Sequence, residues 1–193
     1  MRGIPGCGPG VWELIMKVKS SKSILRYDSH HWTSQASYQS VKGGGEFKLP
    51  GYWLRNFTKI CVTMYFEANS STNYTSILLN YPAQSLHSAL HEGIKILPVE
   101  LPKMTIPFGI DSGCLVKGLN MHGPASWPIK SRVGVRSKES PPCSMPYLVR
   151  GIGIGSQQVP EMSCGEIIIS NNTKLSPKYL LQSFPALCRI YIQ

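Results

Sequence analysis

The sequence predicts an α+β domain that is mostly β, with few short helices and braced by disulfides. Three observations carry that prediction. Eighteen glycines and fifteen prolines in 193 residues demand frequent turns and leave little room for long helices. Hydrophobic residues at 42% supply a core, charged residues are only 16%, and this length suits a single domain. The six cysteines, Cys7, Cys61, Cys114, Cys143, Cys164 and Cys188, form no C-x-x-C pair, and none has a histidine at zinc-ligand spacing. That spread suits three disulfides, or two with two free thiols, and not a structural zinc knuckle. Six cysteines allow fifteen complete pairings, and spacing does not choose among them.

The elements follow in order. Residues 1–10 read as an N-terminal tail, with the domain running over 11–193. Val11 to Lys19 (VWELIMKVK) alternates in part and is followed by the polar turn Ser20 to Ser23, which reads as a strand. Ile24 to Tyr27 begins a second short strand. Asp28 to Trp32 reads as a loop or helical turn, and Gly43 to Gly45 as a turn. Tyr52 to Phe57 is aromatic-rich, Lys59 to Phe66 (KICVTMYF) is a strand, and Ser76 to Leu79 another. Ser85 to Glu92 predicts a helix: Leu86, Ala89 and Leu90 fall at i, i+3 and i+4, Ser85 can cap it, and Gly93 ends it. Pro98, Pro102 and Pro107 make Ile94 to Gly109 an irregular connection. Arg132 to Arg136, Tyr147 to Ile154, Glu166 to Ile169 and Cys188 to Ile192 predict further short strands, the last closing a sheet.

Compartment decides how the cysteines are read. Four N-x-S/T sequons, at Asn56, Asn69, Asn73 and Asn171, exceed the roughly one expected by chance, and all sit in polar, turn-like contexts. Sequons and cysteines together indicate a secreted, extracellular glycoprotein. The segment after Met1 has no apolar signal-peptide core, so the chain is expected to be a fragment or a gene model lacking its first exon. No stretch reaches the length of a membrane span. The net charge of +10 arises from only ten acidic residues against twenty basic ones. The basic residues are dispersed, with Lys17, Lys19 and Lys22 near the start and Lys130, Arg132, Arg136 and Lys138 later. A nucleic-acid binder would show a basic stripe or a basic-and-aromatic motif, so no nucleic acid is expected as a partner. Extracellular glycans or acidic matrix macromolecules suit the charge better.

Catalytic and metal patterns are weak. His87 and His91 share a helix face, but Glu92 is not placed as in H-E-x-x-H and a third ligand is lacking. His30 and His31 lie beside Asp28 without a nucleophile elbow. The carboxylates Asp28, Glu46, Glu67, Asp111, Glu139 and Glu161 are isolated, whereas glycosidase chemistry needs a converging pair. No enzyme activity, catalytic residue or metal site is expected. Gly151-Ile152-Gly153-Ile154-Gly155 is not followed by a helix, so it reads as glycines that let backbone segments approach, not as a dinucleotide loop. Trp12, Trp32, Trp53 and Trp127 are candidate sugar-stacking residues, although tryptophan in a small β domain is usually core.

Several local patterns share one resemblance. Val11 to Lys17 soon after Cys7, Tyr27-Asp28-Ser29 with Trp32, Lys48-Leu49-Pro50 with Trp53, and Phe57 to Cys61 with Met64 open the series. Ser85 to Gly93, Cys114 with Gly118 and Asn120, Arg132 to Val135, Gly151-Ile152-Gly153 and Cys164-Gly165 continue it in order. The series resembles a cnidarian branch of secreted proteins with fibrinogen-like and intelectin-like domains, including coral skeletal organic matrix proteins. The resemblance implies a fibrinogen C-terminal-like (intelectin-like) fold and a non-catalytic matrix or recognition module of a mineralised skeleton. Its alternatives are a carbohydrate-binding lectin of innate immunity and a truncated gene product without function. No cofactor is expected from the residues themselves. The resemblance implies calcium, which relatives hold with clustered carboxylate and amide oxygens, but those ligands are largely absent here, where Gly151 to Glu166 offers only Glu161. Where relatives carry two close cysteines, only Cys143 is present, and the resemblance implies a Cys143–Cys164 bridge.

Overall fold

The computed structural model describes residues 2–20, 24–40, 45–68, 71–97, 115–122, 130–137, 148–157, 162–171 and 179–193. Cys114, Cys143, Asn69, Trp127, Asp111, Glu139 and Glu161 lie outside these residues, as do Lys22, Lys138 and most of the glycine turn at 43–45.

The described residues are mostly β. Thirteen strands are present among them: β1 (Arg2–Ile4), β2 (Gly8–Val11), β3 (Glu13–Lys19), β4 (Tyr38–Gln39), β5 (Phe47–Lys48), β6 (Phe57–Ala68), β7 (Ser71–Ala83), β8 (Lys95–Leu97), β9 (Leu115–His122), β10 (Lys130–Ser137), β11 (Leu148–Gln157), β12 (Cys164–Asn171) and β13 (Tyr179–Ile192). Two short helices, α1 (Gly51–Leu54) and α2 (Leu86–His91), and a 3-10 turn at His30–Trp32 complete the set. None of the described helices is long and apolar enough to cross a membrane.

β13 organises the sheet. Its first half pairs antiparallel with β12, from Asn171↔Tyr179 to Gly165↔Pro185. From Ala186 onward it runs between β6 and β3, with Cys188 opposite both Met64 and Val18. One half of the sheet therefore reads β4-β5-β3-β13-β6-β7, and the other β13-β12-β11-β10-β9-β8. One hydrophobic core draws from both halves and both helices, including Ile15, Val62, Leu79, Leu86, Leu119, Val133, Ile154 and Ile190. The apolar C-terminal segment thus occupies a central strand, with Cys188, Ile190 and Ile192 in the main core and Arg189 and Tyr191 on the opposite face.

The helix over Ser85 to Glu92 forms as α2. Ser85 accepts from the Ser88 backbone N–H while the Ser88 hydroxyl accepts from Ser85 N–H, a reciprocal cap, and Gly93 follows with φ +89. Pro50 precedes α1 as its N-cap residue, and its φ of −54 already fits a helix. Ile24 to Tyr27, expected as a strand, is a turn. The Arg26 carbonyl accepts from both Ser29 N–H and Trp32 Nε1, so it is spent on the local turn and not on a ladder.

Two expectations are corrected by the bridges. Cys164 pairs with Cys188, Cα atoms 6.2 Å apart, and not with Cys143. Cys164 opens β12 and Cys188 lies where β13 changes partners, so the bridge closes the junction between the two halves. Cys7 pairs with Cys61, Cα atoms 5.9 Å apart. This bridge makes residues 2–11 an anchored hairpin, β1 on β2 with Arg2↔Val11 and Ile4↔Gly8, where a tail was expected.

Candidate functional site

The anchored hairpin covers only part of the sheet face it sits on. Beneath it, Ile4, Cys7, Trp12, Cys61 and Tyr191 form a second hydrophobic cluster, distinct from the main core, with Leu14 and Leu78 packed against it. Close approach shapes this contact. A Cβ on Gly6, whose φ is +78, would meet the Ser76 hydroxyl, and Tyr74 and Ser76 donate their hydroxyls to the Pro5 carbonyl at 3.0 and 2.9 Å. Burial, with Tyr65 nearby, pushes the Tyr74 phenol up to about 12.

Beside the hairpin the same face opens into a groove of about 390 Å³ lined by Trp12, Leu14, Lys17, Phe47, Arg189 and Tyr191. Strand register brings these distant residues together. Lys17 faces Phe47 on one neighbour and Arg189 on the other, while Leu14 faces Tyr191. A register shift lies between the Met16↔Ile190 and Leu14↔Tyr191 pairs. The extra residue, Ile15, lets Ile15 and Met16 both point into the core and leaves Leu14 and Lys17 on the groove side, as a bulge does. Trp12 and Tyr191 are buried and make the floor, whereas Leu14, Lys17, Phe47 and Arg189 are half-buried. The Arg189 guanidinium also lies 5.1 Å from the centre of the Tyr65 ring, and Tyr65 packs on Tyr74 with centroids 5.0 Å apart.

The groove therefore places two cations on adjacent strands among aromatic and apolar walls. Such a surface attracts carboxylate or sulfate by charge and a sugar's apolar face by packing.

Other sequence candidates distribute differently. His87 and His91 do stack, centroids 4.2 Å apart. His87 Nε2 donates to the Thr33 carbonyl at 3.0 Å and His91 Nδ1 to the His87 carbonyl at 2.9 Å, so each ring has one nitrogen committed to backbone. Among the described residues no group of three His, Cys, Asp or Glu is placed to hold a metal. His30 and His31 pack at 4.1 Å, with Tyr38 next to His31. Burial first, then His30 and Lys48, lowers the His31 pKa; Asp28 is exposed. Trp32 is a core residue with its Nε1 bonded to the Arg26 carbonyl at 2.7 Å, and Trp53 packs at the core edge. Trp12 alone of the described tryptophans lines the groove. Asn56 is exposed just after α1, Asn73 lies on β7 opposite Phe66, and Asn171 ends β12 opposite Tyr179.

Two lysines, Lys48 and Lys117, are buried among the described residues, and no local pattern marks either as buried. Lys48 is fully buried, and its ammonium donates to the His31 and Ser34 carbonyls at 2.6 and 2.7 Å. It also lies 5.0 Å from the Tyr52 ring centre and 5.6 Å from that of Trp53. This contact clamps the 30–34 loop against α1.

No protein family, curated protein or solved structure matches this chain.

Proposed function

We propose that this chain is a secreted, non-catalytic recognition module of the extracellular matrix, of fibrinogen-like or intelectin-like kind, whose groove over β3 and β13 takes acidic glycans. A skeletal organic matrix is the setting that the sequence resemblance implies. The reading rests on one observation above others: Lys17 and Arg189 stand side by side in an open groove walled by Leu14 and Phe47 and floored by Trp12 and Tyr191. Two bridged cysteine pairs and a net charge of +10 support an oxidising compartment and an anionic partner. Rigidity helps such a surface, because a pre-formed groove loses little entropy on binding.

A glycan array followed by calorimetry tests this. Uronate-bearing or sulfated oligosaccharides should bind, more weakly as salt rises and unaffected by chelator. Arg189→Ala should weaken binding about tenfold, or about 1.4 kcal/mol, and Lys17→Ala by a similar or smaller factor. Binding of a neutral sugar that chelator abolishes would replace this reading with that of a calcium-dependent lectin.

A further inference from the structure

A second group of cations is assembled from different elements. Tyr27, half-buried in the turn before the 3-10 turn, meets Lys130 and Arg132 on β10 and His122 at the end of β9. The Arg132 guanidinium carbon lies 4.3 Å from the Tyr27 ring centre and Lys130 Nζ 5.5 Å from it. The Tyr27 hydroxyl and His122 Nε2 are 2.5 Å apart, their rings edge to face.

The guanidinium is held in one orientation. Its Nε donates to the Tyr27 carbonyl and its Nη1 to Asn120 Oδ1, both at 2.8 Å. Asn120 is buried and donates its amide to the Leu90 and Gly93 carbonyls at 2.6 and 3.0 Å. Its backbone has φ 47, the one positive value at a non-glycine position among the described residues. Backbone strain kept at a residue that positions another side chain points to a need for that position. On the other side, Gly155 leaves room: a Cβ there would stand 2.7 Å from Arg132 Cγ. Among the described residues the two partners that orient Arg132 are a carbonyl and a neutral amide, and neither cancels its charge. The ion pairs among the described residues, Arg55 with Glu13 and Lys95 with Glu92, lie elsewhere.

We propose that Tyr27, His122, Lys130 and Arg132 form an oxyanion site that takes a sulfate or phosphate group, and that it closes most tightly on the anion when His122 is protonated. With His122 neutral, the Tyr27 hydroxyl donates to Nε2. Protonation reverses that bond: Nε2–H donates to the phenol oxygen, and the phenol hydrogen is released to donate to the anion. Burial first, then Lys130 and Arg132, lowers the pKa of His122, so the empty site resists the proton and a bound anion offsets that repulsion. Among the described residues the groups bearing on His122 are Tyr27, Lys130 and Arg132. This site is independent of the β3–β13 groove.

The test uses the full chain with histidine ring resonances followed by NMR. Inorganic sulfate and phosphate, each against chloride at equal ionic strength, should shift the His122 resonances saturably and raise its pKa. A rise of one pKa unit means about tenfold tighter binding below the histidine transition than above it. His122→Gln should abolish that pH dependence, and Lys130→Ala, on a partly exposed side chain, should weaken binding several-fold; Arg189→Ala should change neither. A sulfated disaccharide that binds more tightly than inorganic sulfate identifies a glycan ester as the ligand, whereas equal affinity identifies a free anion, and both results keep the site. The proposal is overturned if His122 titrates identically with and without either anion, or if His122→Gln retains the pH dependence of affinity for sulfate, an anion with no ionisation of its own in this range, measured by calorimetry.

Discussion

The two halves of the sheet treat one rung in opposite ways. Across β5, β3, β13 and β6 a rung reads Phe47, Lys17, Arg189, Thr63. Across β9, β10, β11 and β12 a rung reads Gly118, Gly134, Gly153, Gly165. The first rung builds a surface from side chains. The second removes them where backbones crowd: a Cβ on Gly134 would stand 2.3 Å from the Ile152 carbonyl oxygen, and one on Gly165 2.2 Å from that of Phe184. Neighbouring strands approach this closely where a sheet coils or bends sharply. The side-chain rung is therefore where recognition is expected, and the glycine rung is where shape is set. Arg132 and Asn120 stand two residues from Gly134 and Gly118, so the oxyanion site lies at the margin of the glycine rung.

The hairpin bridge offers the most forceful way to break this comparison. Joint Cys7→Ser and Cys61→Ser replacement opens a loop of 54 residues and should lower stability by about 4 kcal/mol in the loop-entropy picture. Urea unfolding measures the loss, and a red-shifted tryptophan emission should report Trp12 leaving its cluster. Glycan binding should fall with it, because the groove floor depends on that cluster. Unchanged binding would mean that the hairpin is not what builds the groove.

Next in size, Gly134→Ala or Gly153→Ala should cost about 2–3 kcal/mol through forced overlap with neighbouring carbonyls. Glycan affinity of the remaining folded protein should stay intact. Phe47→Ala should do the reverse, lowering affinity several-fold while changing stability by about 1 kcal/mol or less. If both classes of variant changed stability and binding alike, the division of labour between the rungs would be wrong.

Much of the fold was legible because alternation and capping are local. β3, β6, β7 and the strands β10 to β13 follow apolar runs, and α2 follows its Ser85–Ser88 cap. The Gly151–Gly155 run, read as permitting close backbone approach, does so at Gly153, where a Cβ would stand 2.6 Å from the Val133 carbonyl. The hairpin of β1 and β2 was missed because its glycines and prolines carry no alternation; only its cysteine hinted at an anchor. β9 was missed because buried Lys117 and Asn120 break the apolar pattern. The groove was not legible, since Lys17, Phe47 and Arg189 meet only through register. Its one local signal is the adjacent apolar pair Ile15-Met16, which interrupts alternation as a bulge does. The bridges also show how little spacing says about pairing. The Cys7–Cys61 bridge spans 54 residues and Cys164–Cys188 only 24.

The smallest effect separates buried charge from surface charge. Lys48 sits inside the side-chain-rich half, and burial lowers its pKa from 10.5 to about 8. The unfolded chain therefore holds this proton more firmly than the folded one between pH 8 and 10.5. Its contribution to stability is fully present above the unfolded pKa and lost as pH falls through 8, so stability should rise from pH 8 toward 10. Bonds to two carbonyls and two aromatic faces favour the charged form and limit the gain, which should be near 1 kcal/mol, or a Tm rise of about 3 °C for a chain of this length. Above pH 10 the sign reverses. Burial raises the phenols of Tyr27, Tyr52 and Tyr74, and their contribution, present below pH 10, is lost once the unfolded chain can ionise them. Thermal melts from pH 7 to 11 should thus pass through a maximum near pH 10. Lys48→Met should flatten the rising limb and leave the falling limb in place, whereas Lys17→Met, a change to a half-buried lysine of the groove, should leave both. A rising limb that survives Lys48→Met would assign it to another group and remove the distinction between the clamped lysine and the one that lines the groove.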